Sequence, residues 1–219
     1  MYLESLLAMH ICRLLVITLM LVLSPLQGLA EKVCTYQTYK WNTQERKAVD
    51  YRVVKHAYSD LSRFEIDPST GCTVCEEDQV EIQVEGLAPF KVCRLLAKKL
   101  KPVLVDLVKR KEPIFSVEGY RVGKTRGELD EMGNRIAFSN HSFGIAIDIN
   151  SAVNGLYENR IQFDQNCRLI KGGEWSQGQM GSLTADSTIV KAMKSIGLQW
   201  GGEILGQQKD FMHFSPTGY

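Results

Sequence analysis

The 219-residue sequence has little net charge, few histidines and no long apolar span, and each shortage narrows what it can do. Lys and Arg number 26 against 25 Asp and Glu, a formal charge of +1, which argues against an electrostatic nucleic-acid binder. The main apolar run, ICRLLVITLMLVLS at residues 11–24, falls short of the roughly twenty residues of a comfortable membrane span. No Gly-x-Ser-x-Gly element occurs, so the nucleophile elbow of many serine hydrolases is missing. Tandem repeats, low-complexity tracts and long charged tails are absent too. What is present is a composition 44% hydrophobic, ordinary for a chain that folds around a sizeable core.

The apolar run is followed by Pro25 and the small-x-small triplet Gly28-Leu29-Ala30, the layout of a secretory signal peptide. Initiation at Met9 would drop Glu4 and give a more ordinary signal. Left uncleaved, residues 1–30 become a membrane anchor, and the membrane is a partner only in that way. Cys34 lies too far on for a lipoprotein-type anchor. The expected location is therefore exported, periplasmic or secreted. Residues 31–219 then have the size of one domain with a modest N-terminal elaboration.

Five cysteines follow the signal segment: Cys34, Cys72, Cys75, Cys93 and Cys167. In an exported protein they are expected in disulfides, with connectivity open and Cys167 the candidate for the odd thiol. Cys72-Thr-Val-Cys75 also permits a zinc knuckle or redox pair. A zinc ribbon needs a second close pair, however, and Cys34 and Cys93 are far apart. The motif follows the turn signal Asp67-Pro-Ser-Thr-Gly71 and stands between the strand-like segments LSRFEID and VEIQVEG.

Beyond the signal segment only His56, His141 and His213 remain, and two of the three sit in acidic motifs. In Ser139-Asn-His-Ser-Phe-Gly-Ile-Ala-Ile-Asp148, Ile145, Ile147 and Ile149 alternate with Ala146, Asp148 and Asn150, as in a half-buried strand. The separation of His141 from Asp148 is odd, so one straight strand cannot put both on one face. Gly144 is the expected bend. In Asp210-Phe-Met-His213, alternation sends His213 to one face and Met212 and Phe214 to the core. Two imidazoles and a carboxylate, His141, His213 and Asp148, suit a catalytic zinc site, which uses three protein ligands and keeps a position open. Asp210 is the candidate base, and Glu203, after Trp200-Gly-Gly, its rival.

The string SNHSFGIAID resembles the S-x-H-x-x-G-x-A-x-D signature of VanY-type zinc D-Ala-D-Ala carboxypeptidases and L-Ala-D-Glu endopeptidases. Trp200-Gly-Gly, Asp210-Phe-Met-His213-Phe214 and Gly119-Tyr120-Arg121 are similar to further motifs of that family, in the family's order. The resemblance implies an α+β fold of the Hedgehog/DD-peptidase type, a small mixed antiparallel sheet flanked by helices. It implies Zn2+ held by His141, Asp148 and His213, with Asp210 as base. Arg121 would steady an oxyanion or hold a substrate carboxylate, and Ser139 would touch substrate. The implied partners are the stem peptides of bacterial peptidoglycan. Gly71-Cys72 and Pro89-Phe-Lys-Val-Cys93 also look like extensin-like C-terminal domains of the same superfamily. A non-catalytic wall-binding or signalling domain of this fold is the alternative.

The rest of the chain predicts a helical stripe over residues 90–110, through Val92, Leu95, Leu96, Leu100, Val103, Leu104 and Leu107, with Pro102 as kink or break. In IFSVEGYR, Phe115, Val117 and Arg121 share a side, predicting a strand with Arg121 at its end. Residues 155–183 predict a long loop or hairpin walling a groove. Asp186 is the expected N-cap of the helix STIVKAMKSI, stopped by Gly197. The expected divisions are 1–30 signal, 31–112 elaboration and 113–219 catalytic core.

Overall fold

The stretch 33–57 is rich in β-branched and aromatic residues, and it pairs as β1 (Val33–Asn42) and β2 (Lys47–Ala57), antiparallel with a bulge between Thr38 and Lys40. The computed structural model describes residues 31–158, 163–164, 166–205 and 208–219, so the expected signal segment lies outside the described residues. A second hairpin, β3 (Gln79–Ile82) and β4 (Phe90–Cys93), leads straight into α1 (Arg94–Lys109). There follow β5 (Val117–Glu118), β6 (Lys124–Leu129), β7 (Arg135–Phe138), β8 (Ile147–Ile149), β9 (Leu156–Tyr157) and β10 (Leu169–Lys171). Then come α2 (Thr188–Ser195), β11 (Gln199–Trp200), β12 (Lys209–Asp210) and β13 (His213–Ser215). The class is α+β, but the single expected sheet is instead several small ones, ordered β2-β1-β6-β7, β11-β13-β8-β5, β10-β9-β12 and β3-β4. All these pairs are antiparallel except β1 with β6, which meet in parallel at Lys40 and Lys124. No helix among the described residues is long and apolar enough to cross a membrane.

The core forms where α1 lays Leu96, Leu100, Leu104 and Leu107, at helical spacing, against Val117 of β5, Ile147 and Ile149 of β8 and Phe214 of β13. Ile189, Val190 and Met193 of α2 join the same cluster. This packing holds β8 and β13 side by side, and those strands carry the site. The helix differs from its expected form in three ways. Val92 belongs to β4, Leu95 is exposed, and Pro102 does not break it. Pro102 lies on the exposed side beside an exposed Lys98, so water can serve the carbonyl that loses its amide partner.

Other local expectations also shift. LSRFEID folds as a 3-10 turn over Arg63–Glu65 rather than a strand, because the Ser62 and Glu65 side chains close a capping box. The Asp67 turn forms as expected, its carboxylate accepting from Ser69 and Thr70, with Gly71 at φ +72°. IFSVEGYR pairs only over two residues, and Phe115 is exposed while Val117 is buried, so they do not share a side. The N-cap of α2 is Ser187 and not Asp186, and Gly197 at φ +91° follows the helix.

Cys34 bonds Cys75 and Cys72 bonds Cys93, so the two cysteines of the C-x-x-C motif go to different partners, and Cys167 stands outside both disulfides. The motif is thus neither a redox pair nor a zinc knuckle. The bridges close overlapping loops of sequence separation 41 and 21. Removing a native disulfide from a small disulfide-bonded domain typically costs about 2–5 kcal/mol, so reduction should lower the denaturation midpoint sharply. Denaturant titration with and without reductant checks this, and coincident curves would contradict it.

His56, the histidine outside the motifs, has a structural partner. Its Nε2 lies 2.9 Å from Glu65 Oε1, which also accepts from Tyr36 Oη at 2.6 Å. Burial works to raise the Glu65 pKa, but hydrogen bonds from Tyr36, Ser62 and His56 overcome it and hold it at about 2. The bond to the Ala57 carbonyl, then that to Glu65, raises His56. A depressed carboxylate contributes stability that is present above about pH 4.5 and lost as pH falls toward 2, while a raised imidazole loses its contribution as pH climbs past about 6.5. The Tm gap between wild type and Glu65→Gln should therefore shrink as pH falls from 5 to 2. A gap that stayed constant would refute the assignment.

Candidate active site

Backbone register brings the two motifs together. Asp148 of β8 stands directly opposite His213 of β13, so both side chains leave the sheet on one face. His141 arrives from a 3-10 turn, Asn140–Phe143, that ends at Gly144 with φ +64°. A Cβ at Gly144 would lie 2.0 Å from Gln79 Oε1 and 2.4 Å from the Cys93 nitrogen, so the expected bend is one only glycine can make. Around it the expected half-buried strand is buried on both faces: Ile147 and Ile149 join the main core, while Ile145 packs with Cys72 and Cys93. The second motif also departs from alternation. Phe211 and Met212 turn between β12 and β13, and Phe211 enters the core, stacked on Trp175 at 4.4 Å and 8°. Met212 is buried beside the cleft rather than in the main core cluster, whereas Phe214 is in it.

His141 Nε2, Asp148 Oδ1 and His213 Nδ1 form a nearly equilateral triangle with sides of 3.1, 3.0 and 3.1 Å. All three residues are buried. Burial pushes the His141 pKa down to about 4, against the attraction of Asp148, so the imidazole is neutral at pH 7. Burial opposes ionisation of Asp148 as well, but His141, His213 and Arg121 together hold its carboxyl well below the usual carboxylate range. His141 Nδ1 lies 2.9 Å from the Gly119 carbonyl, and Arg121 Nη1 comes within 2.9 Å of that nitrogen and 3.4 Å of the carbonyl. A carbonyl only accepts, so with the imidazole proton on Nδ1 directed at Gly119 the His141 Nε2 lone pair faces the triangle.

Such a donor set fits a metal ion. Ligand atoms at about 2.0–2.1 Å around a tetrahedral ion stand roughly 3.3 Å apart, close to the sides observed. Asp210 Oδ1 is buried in the same cleft without a hydrogen-bond partner, and such an orphan calls for a donor such as a water beside the ion.

Asp210 ends β12, and its position is set by the Trp200-Gly-Gly turn. The Gly201 amide donates to the His213 carbonyl at 2.9 Å, the Asp210 amide donates to the Gly201 carbonyl at 3.2 Å, and Trp200 Nε1 donates to the Phe211 carbonyl at 2.7 Å. A Cβ on Gly201 would meet the Asp210 carbonyl at 2.4 Å. The turn is therefore structural. Burial, with the Asp148 charge adding to it, raises the Asp210 pKa to about 6 despite the pull of His213. Glu203, the rival, is exposed and paired with Lys194 at 2.6 Å.

Arg121 Nη2 donates to Asp148 Oδ2 at 2.6 Å, which commits its guanidinium to the carboxylate's second oxygen. Ser139 precedes the His141 turn with its Oγ 3.2 Å from Ser142 Oγ. All six residues singled out from the sequence line one cleft of about 520 Å³. The expected groove wall exists as a hairpin: β9 pairs with β10 and with β12, and Leu156, Ile170 and Lys171 face the cleft. Sequence reasoning missed further contributors, among them Tyr39 and Trp41 of β1 and Arg126 of β6. Tyr39 and Trp41 stand two apart in a strand-like segment, a period that could have flagged them. Tyr39 is fitted against Gly123, where a Cβ would lie 2.7 Å from its ring.

No curated protein and no solved structure gives a significant match to the chain. One family model does match, and its span takes in Ser139, His141, Asp148, Asp210 and His213 but not Arg121. Residues 133–216 carry the sequence pattern of the D-alanyl-D-alanine carboxypeptidase family, a peptidase family, in agreement with the VanY-type resemblance of the motifs.

Proposed function

We propose that this chain is an exported zinc peptidase that hydrolyses peptide bonds in the stem peptides of bacterial peptidoglycan, on a fold of the Hedgehog/DD-peptidase type. The observation that carries the reading is the His141–Asp148–His213 triangle beside the orphaned Asp210 carboxylate in an open cleft. Zn2+ would be held by His141, Asp148 and His213; when bound, it supplies Lewis acidity toward a carbonyl and lowers the pKa of a water. Asp210 takes the proton of the attacking water and returns it to the leaving amine. A base with a pKa of about 6 is ionised at neutral pH yet basic enough to accept that proton. Arg121 holds Asp148 ionised and in place, and its remaining donors are available to a developing oxyanion. Ser139, on the cleft wall, contacts substrate.

Two disulfides support an oxidising compartment and hence export. We retain the division into an elaboration at 31–112 and a core at 113–219, but Tyr39 and Trp41 give the first part a share of the cleft. Digestion of purified wall fragments by the mature protein, followed by mass spectrometry, tests the activity. Cleavage at a stem peptide bond that a chelator abolishes is expected; intact stems after prolonged incubation with zinc-loaded protein would leave only a binding role.

A further inference from the structure

We infer that Arg126 is the specificity-determining residue that grips a free C-terminal carboxylate of the substrate, on the leaving-group side of the scissile bond. This deepens the peptidase proposal and rests on it.

The cations of the cleft are unequal. Arg121 is committed to Asp148, and Arg135 Nη1 donates to the Gly127 carbonyl at 2.5 Å. Lys171 is exposed. Arg126 is partly buried on β6, and among the described residues its guanidinium makes no hydrogen bond and no ion pair; it lies over the Tyr219 ring, 5.8 Å from Cζ to the centroid. A ring face takes the cation's charge but accepts none of the five N–H donors in hydrogen-bond geometry. Partial burial of a charged group without such bonds is costly, and a carboxylate, with two oxygens matched to the guanidinium fork, relieves that cost. Burial holds the Arg126 pKa below its usual value, opposed by Asp210 and Tyr219, yet a guanidinium stays charged at neutral pH.

Placement then chooses among a peptide's carboxylates. Asp210 acts on Arg126 electrostatically, and both line the same cleft. Asp210 is the group that would protonate the leaving amine, and in a C-terminal residue the α-carboxylate is separated from that amine by a single carbon. A guanidinium on the Asp210 side of the cleft therefore meets the terminal carboxylate of the residue being released. Arg126 lies outside residues 133–216, so this preference belongs to the part of the chain that the family pattern does not cover. An internal bond, whose leaving residue has its carboxyl in amide linkage, would gain nothing from it.

The test is a matched pair of acylated peptides ending in D-Ala-D-Ala, one with a free C-terminal carboxylate and one amidated, measured by calorimetry and by turnover on the zinc-loaded full protein. Wild type should prefer the acid by about 10- to 100-fold, the range of a hydrogen bond to a charged group. In Arg126→Gln that ratio should collapse toward one, and Arg126→Lys should restore part of it. Because acid and amide are compared within each variant, partial misfolding cannot mimic the result. Equal binding of acid and amide by wild type, or a ratio undiminished in Arg126→Gln, would overturn the inference. Acid-selective binding without cleavage would remove the peptidase reading and keep the carboxylate site; cleavage of acid and amide alike would do the reverse.

Discussion

Asp210→Asn should lower kcat by about 10²- to 10⁴-fold, the usual contribution of a general acid/base group, with KM and zinc content nearly unchanged. The amide is close in shape to the carboxylate but takes no proton at neutral pH. Oδ1 of Asp210 is buried without a partner, so the substitution breaks no side-chain hydrogen bond of that atom. The pH profile carries a second signature. Asp210 is a base only when ionised; without metal, burial reinforced by Asp148 raises its pKa to about 6, and a cation held by the neighbouring ligands pulls it back down. Wild-type kcat should therefore show an acid limb at or below pH 6, and the residual activity of Asp210→Asn should lack that limb. Glu203→Gln is the companion measurement. Its parent carboxylate is spent on Lys194, so near-normal turnover is expected. If Glu203→Gln lost activity and Asp210→Asn kept it, the roles would be reversed.

The site was legible because its residues lie in two short motifs whose spacing constrains the backbone. An odd interval between His141 and Asp148 demanded a bend, and Gly144 provides it at positive φ against Cys93. The pairing of Asp148 with His213 was less accessible, since strand register depends on partners 65 residues apart in sequence. Alternation failed at Phe211 because a turn between β12 and β13 breaks the two-residue period, and stacking on Trp175 draws the ring inward. Pro102 misled for a similar reason: its cost in a helix depends on whether the orphaned carbonyl faces water, which sequence does not state. The roles of Tyr39, Trp41 and Arg126 were hidden because β1 joins β6 through one long-range parallel contact, far from any motif. The arginine nearest a recognisable motif, Arg121, suggested a substrate carboxylate as one of two roles. With one amino group of Arg121 engaged by Asp148 and its other donors turned to the oxyanion role, the inferred carboxylate grip falls to Arg126.

Replacing His141, Asp148 or His213 should cost more than any other change in the cleft, because each supplies one corner of a triangle whose sides are 3.0 to 3.1 Å. Groups that hydrogen-bond to a metal ligand typically account for about 10- to 100-fold in metal affinity, so loss of a ligand itself should exceed that. Elemental analysis of His141→Ala and His213→Ala after dialysis should find little zinc, and turnover on stem peptides should fall with it. Asp148→Asn separates charge from shape. It keeps the hydrogen-bonding volume but removes the anion that His141, His213 and Arg121 hold ionised, so it should lose zinc and also leave Arg121 without its ion-pair partner. Arg121→Met keeps all three ligands and loses the grip on Asp148 Oδ2 and the contacts beside His141, so a smaller loss of affinity is expected, about 10- to 100-fold. That ordering distinguishes a ligand from the residue that positions it. Zinc content unchanged in both His141→Ala and His213→Ala would sink the ligand assignment, whereas a loss in Arg121→Met as deep as in the histidine variants would make the guanidinium, and not the triangle alone, the condition for holding the metal.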